Sequence, residues 1–111
     1  MDELKELGHL HRLLETALRA AAEQDRRILE AMMRQLMNVA VSRLAVVNHE
    51  QNLIENGIKR KGYSPSFITS LWIVHEECKT LGNFDSASFA DLNERLDRIR
   101  STVEKTIQQL S

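Results

Sequence analysis

Cysteine, proline, glycine and aromatic side chains are all scarce in this 111-residue chain: one cysteine, one proline, four glycines, one tryptophan, one tyrosine and three phenylalanines. Each scarcity excludes something. A lone thiol, Cys78, cannot close an internal disulfide, which points to a reducing compartment and a cytoplasmic location. With so few glycines and prolines there is no turn-rich all-β pattern, no strained nucleophile elbow and no glycine-rich phosphate cradle. Charge of one sign is missing too. Fifteen basic residues face sixteen acidic ones, and a net charge of −1 creates no overall field to draw nucleic acid or anionic lipid. Long hydrophobic runs are absent. The least charged stretch, Gln35 to His49, holds only Arg43, but Asn38, Ser42 and Asn48 make it too polar, and its length too short, to span a bilayer. The start, Met1-Asp2-Glu3-Leu4-Lys5-Glu6, lacks the basic then apolar order of a signal peptide.

What remains is ordinary globular composition, 42% apolar and 28% charged, in a length that fits one domain spanning residues 1–111. From His9 to Asn56 there is neither glycine nor proline, and no alternating pattern appears. The expected fold class is all-α: a small bundle of three or four helices with a long amphipathic helix at its centre.

The first helix is expected over Asp2–Ala22, with Leu4, Leu7, Leu10, Leu14, Leu18 and Ala21 along one face. Continuing that stripe by one turn puts Asp25 on the apolar line. A carboxylate is costly there but serves well as the N-cap of a new helix, so a break at residues 22–26 is favoured over a single helix of about 55 residues. The second helix, Arg26–Asn56, carries one apolar stripe of Met33, Met37, Ala40, Leu44, Val47 and Ile54. A second stripe of Ile28, Leu29, Met32, Leu36, Val39 and Val46 lies beside it. Together they exceed the ~100° face of a surface helix. Ser64-Pro65 starts a third helix over Pro65–Thr80, with Phe67, Ile68, Leu71, Val74, His75 and Cys78 on one side and Gly82 closing it. A polar turn at Asn83–Ala87 leads to Ser88, the N-cap of a fourth helix lined by Phe89, Leu92, Leu96, Ile99, Val103 and Leu110.

Candidate chemistry is thin. His75-x-x-Cys78 puts two metal-ligand types one turn apart, yet a structural zinc site normally takes four ligands and no second thiol exists. Glu6-x-x-His9 has the spacing of a di-iron bundle, but the second such motif is missing. Haem needs a pocket that these few aromatics do not supply. No cofactor and no metal are therefore expected, and the chain reads as a non-enzyme. Lys59-Arg60-Lys61, followed by Gly62 and Tyr63, is the one charge cluster, expected as a solvated loop or a docking loop for an acidic partner. Nucleic acid is an alternative on the same loop. The helix after it opens Phe67-Ile68 and continues through Leu71 and Trp72, which reads as packing rather than base recognition.

The surplus apolar girth of the second helix motivates a homodimer, because a chain this short covers one side of such a helix easily and two with difficulty. The expected seam or partner surface is Met32, Met33, Leu36, Met37, Ala40, Leu44 and Val47, joined by Ile99 and Val103 of the fourth helix. Three of these are methionines, the adaptable side chain of promiscuous binding surfaces. The functional expectation is a protein-interaction module that binds and sequesters a partner protein, as small anti-activators, chaperones and antitoxins do.

Overall fold

The computed structural model describes residues 1–80 and 88–111, and among them all regular structure is helical. Helix α1 spans Glu3–Ala22, α2 Arg26–Glu55, α3 Pro65–Thr80 and α4 Phe89–Leu110. The turn expected over Asn83–Ala87, and Gly82 as the close of the third helix, lie outside the described residues.

The break before α2 is real and has a local cause. Asp25 is extended and its Oδ1 accepts from the Ile28 backbone N–H at 3.1 Å, so the carboxylate caps a new helix instead of continuing the old one. Gln24 turns the corner at φ 56°. At the other end of α2, Gly57 takes φ 83°, the left-handed conformation that closes helices and that side chains resist.

The helices pack as a ring, α1 against α2 and α4, and α3 against α2 and α4. Named contacts fix the levels. Glu6 of α1 meets Arg43 of α2, His11 of α1 meets Glu104 of α4, and Ser70 of α3 meets Thr106 of α4. The core is layered from Leu7, Leu10 and Leu14 of α1, Leu29, Leu36 and Ala40 of α2, Phe67, Leu71 and Val74 of α3, and Leu92, Leu96 and Val103 of α4.

Since Glu6 is level with Arg43, α2 passes the start of α1 near Val46 and runs on for about two and a half more turns. This overhang accounts for the elongated 49 × 26 × 16 Å shape. The connection back to α3 folds along it. Arg60 reaches Glu50 at 3.7 Å, and Gly62 passes so near Ile54 that a Cβ there would lie 3.2 Å from its Cδ1. Ser64, just before α3, is in the position of an N-cap. Its backbone N–H and its Oγ both donate instead to the Glu3 carboxylate, at 2.7 and 2.8 Å, which ties the loop to the first turn of α1.

Inside the core the Ser70–Thr106 pair is the polar exception, 2.7 Å apart and buried. Thr106 Oγ1 also donates to the Thr102 carbonyl at 3.1 Å, so within the pair Ser70 is the donor. Ser70→Ala removes only a donor and is expected to cost about 1 kcal/mol, whereas Thr106→Val strands the buried Ser70 hydroxyl and is expected to cost about 1–3 kcal/mol. Urea denaturation of both variants checks the asymmetry; equal costs would show that Ser70 finds another acceptor.

Candidate interaction surfaces

Seven of the nine residues expected to form a seam belong to the subunit's own core. Met33, Leu36, Ala40, Leu44 and Val47, with Ile99 and Val103, are between 0% and 5% exposed. The physical reason is ring packing: α1 covers one flank of α2 and α3 the other, so both apolar stripes are partly used within one chain. Met32 and Met37 are half-buried at the two edges of that core. The seam as read from sequence is thus not a surface of the folded subunit, and what α2 offers outward is a different set of residues.

That outward set is distinctive in charge. Between Gln35 and Asn52 the exposed side chains of α2 are amide, hydroxyl, small, valine and one histidine, with no lysine, arginine, aspartate or glutamate. The two charged residues in this stretch are half-buried and engaged: Arg43 Nε donates to Glu6 Oε2 at 2.6 Å, and Glu50 takes Arg60. Depletion of charge, more than bulk hydrophobicity, is what separates the centre of an interface from ordinary surface. Helix α4 is the contrast, showing Asp91, Glu94, Asp97, Arg98 and Lys105 to solvent.

Large apolar side chains emerge on both flanks of this strip. On the α1 side, marked by Arg43, lie Ile28 at 44% exposure and Val46 at 41%. On the α3 side lie Val41 at 49% and Trp72 at 45%. Trp72 was expected to pack. It is two residues, or ~200° of helix, from Ser70, which faces α4, so its indole swings to the outer α2 side and rests edge-on against His75, ring centroids 5.8 Å apart. Leu4, expected on the buried stripe of the first helix, is likewise exposed, and Leu18 is half-buried.

The Lys59-Arg60-Lys61 segment, expected as a solvated or docking loop, lies between α2 and α3. Lys59, Arg60 and Lys61 are exposed, while Tyr63 is half-buried with its ring tilted against Phe67 at 5.8 Å. Lys61 and Tyr63 border an open cleft of about 540 Å³ at the end of the bundle, with Met1, Leu4 and Leu110 as its apolar wall. The loop is held by Glu3, Glu50 and Ile54, so this basic rim is pre-shaped.

The two residues of the His75-x-x-Cys78 pair sit in different surroundings. Cys78 is buried and its thiol is pushed up from 9.0 to about 12, by burial first and by neighbouring Glu77 second, so it stays protonated at neutral pH and is a poor metal ligand or nucleophile. His75 turns instead to Glu76 at 3.3 Å and to Trp72. Because the folded thiol ionises later than the unfolded one, its contribution to stability is intact below pH 9.0 and is lost as pH rises toward about 12. Stability should therefore fall more steeply in alkali for the native protein than for Cys78→Ser, read as urea midpoints at pH 8 and about 10.5; parallel curves would contradict the shift.

One cluster went unread in the sequence. His11 places Nε2 2.9 Å from Glu104 and Nδ1 3.3 Å from Glu15, clasping α1 to α4. The hydrogen bond from His11 lowers the Glu104 pKa. Arg100 Nε adds a cation 3.7 Å from the same carboxylate, and the same guanidinium also pairs with Asp97. The i, i+4 half of it was visible in sequence; Glu104, 93 positions away, was not. No helix among the described residues is long and apolar enough to cross a membrane.

Compared with known proteins, the chain matches no protein family, no curated protein and no solved structure.

Proposed function

We propose that this chain is a small non-enzymatic helical protein-interaction module, a regulator that works as a homodimer and binds and sequesters a partner protein. The observation that carries the reading is the uncharged outer strip of α2 flanked by solvent-exposed Val41, Val46, Ile28 and Trp72, in a protein otherwise studded with charge. Tryptophan is among the side chains most often found at the energetic centre of interfaces, and Trp72 with Val41 forms the natural anchor for a partner helix on the α2–α3 side. The basic rim at Lys59, Arg60 and Lys61 adds attraction for an acidic segment of that partner. The protonated, buried thiol, and the engagement of His11 with Glu104 and of His75 with Glu76, support a role without covalent chemistry.

The test is to isolate the partner by affinity capture, identify it, and measure its affinity for Trp72→Ala and Val41→Asp proteins. Both substitutions are at exposed positions and should leave the fold within about ±0.5 kcal/mol. A loss of at least ~100-fold in affinity, about 2.7 kcal/mol, is the expected result for the tryptophan. Unchanged affinity in both variants would remove this face from the function.

A further inference from the structure

Where α1 meets α4, one imidazole lies between two carboxylates. His11 Nδ1 is 3.3 Å from Glu15 Oε1, and His11 Nε2 is 2.9 Å from Glu104 Oε1. A neutral imidazole carries a single N–H, so it donates to one of these carboxylates and turns a lone pair to the other. Two such lone-pair atoms repel unless a positive centre joins them. The nearby guanidinium answers this only at a distance, since Arg100 is bound to Asp97 at 2.5 Å and stays 3.7 Å from Glu104. Among the described residues this is the one group in which three metal-ligand side chains converge, with their donor atoms all within 4.8 Å of one another.

We propose that His11 and Glu104 ligate a divalent first-row transition ion of the zinc class, with Glu15 as the residue that positions the imidazole. The ion takes Nε2 of His11 and the Glu104 carboxylate, and water completes its shell. Glu15 accepts from the Nδ1–H, which fixes the tautomer and aims Nε2 at the ion. That order, carboxylate to imidazole to metal, is the one metal-binding histidines usually adopt. The spacing fits without rearrangement. Donors ~2.0–2.2 Å from one ion and about 90° apart lie roughly 2.9 Å from each other, which is the separation of Nε2 from Glu104 Oε1. A proton on His11 could fill the same gap, and charge decides between the two. Within this contact group three carboxylates, Glu15, Glu104 and Asp97, face one guanidinium, Arg100. A divalent ion cancels the excess negative charge that a proton only halves.

The imidazole donor selects for zinc-class ions over magnesium, which prefers an all-oxygen shell. Affinity is expected in the micromolar range, because the donors are part-exposed and Arg100 opposes a second cation. The ion joins the first helix to the last. It binds the folded chain alone, where the two helices bring its ligands together, so at zinc about 100-fold above the dissociation constant the melting temperature should rise by roughly 5–15 °C. In the ring α4 lies diagonal to α2, so the site stands apart from the uncharged strip of α2 and does not depend on what binds there.

The experiment is calorimetric titration of the metal-free protein with zinc chloride in a buffer that does not bind metal, read beside thermal melts followed by circular dichroism. The expected result is one zinc per chain, bound more tightly than ~100 µM. Affinity should fall at least tenfold in each of His11→Ala, Glu104→Gln and Glu15→Gln. It should be unchanged in His75→Ala, which removes the other imidazole lying against a glutamate. Magnesium at ~10 mM should shift neither heat nor melting temperature. Melts without zinc establish that each variant is folded at the titration temperature, and the two Glu→Gln changes keep side-chain size where His11→Ala does not. No zinc uptake below ~1 mM overturns the proposal and leaves a proton as the filler of the gap. Uptake at native strength in any of the three site variants overturns it as well, since the ion then sits elsewhere.

Discussion

Leu44→Asp is expected to unfold the chain, not to split an assembly of copies. Leu44 is 5% exposed on the inner side of α2. The substitution forfeits about 1.5–3 kcal/mol of apolar burial and places a carboxylate in the hydrophobic core. The carboxylate escapes ionisation by taking up a proton, but that remedy costs several kcal/mol more at neutral pH. The total rivals the ~5–15 kcal/mol by which domains of this kind are stable. Circular dichroism should show loss of the cooperative thermal transition at pH 7 with partial recovery in mild acid, where the side chain is neutral. A variant that keeps its helical transition and merely sediments as a monomer would place Leu44 at an interface instead. Val41→Asp, three residues away on the outer face, is the matched control and should fold normally.

Phe67→Ala should be the most damaging simple truncation. Among the described residues Phe67 is the largest side chain with no exposure at all. Large aromatic-to-alanine changes in packed cores cost about 3–5 kcal/mol, part lost transfer energy and part residual cavity. In a domain of this size that corresponds to a fall of roughly 10–25 °C in melting temperature. A second effect follows from position. Tyr63 leans on the Phe67 ring, and Tyr63 belongs to the loop that carries Lys59, Arg60 and Lys61. Removing the ring takes away one of the supports that hold the loop against α2, so amide exchange at residues 58–63 should accelerate even under conditions where the rest of the variant stays folded. A cost under about 1 kcal/mol would mean that the neighbouring leucines collapse into the space.

The positions of the helices were legible from local signals. Asp25 and Ser88 cap, Gly57 stops and Pro65 starts, each acting within a few residues of itself, and the four helical segments lie within a residue of where those signals put them. The inner faces were legible in their middles for the same reason, since Leu7, Leu10, Leu14, Leu92 and Leu96 are all buried, whereas Leu4 and Leu18 at the ends of the first stripe are not. The expected seam was legible only as apolar and not as exposed. Met33 and Val46 look alike in a periodicity plot, yet the first is buried and the second open. Hydrophobic spacing reports the width of an apolar face, and says nothing of how far neighbouring helices wrap around it. The most apolar residues of α2 are therefore poor markers of an interface, because they are those a core claims first. The better signal was already present as an absence, the lack of charge from Gln35 to His49 apart from Arg43.

The amino-acid sequence by itself determined the all-helical class, the helix ends and which residues are apolar enough to hide, because caps, glycine conformations and side-chain period are interactions between near neighbours. Tertiary structure alone decided which of those residues are hidden, that Trp72 turns outward, that Ser64 binds Glu3 instead of its own helix, and that His11 finds Glu104. Those outcomes depend on the order and rotation in which four amphipathic rods meet, and that choice is made by contacts between residues many turns apart in the chain.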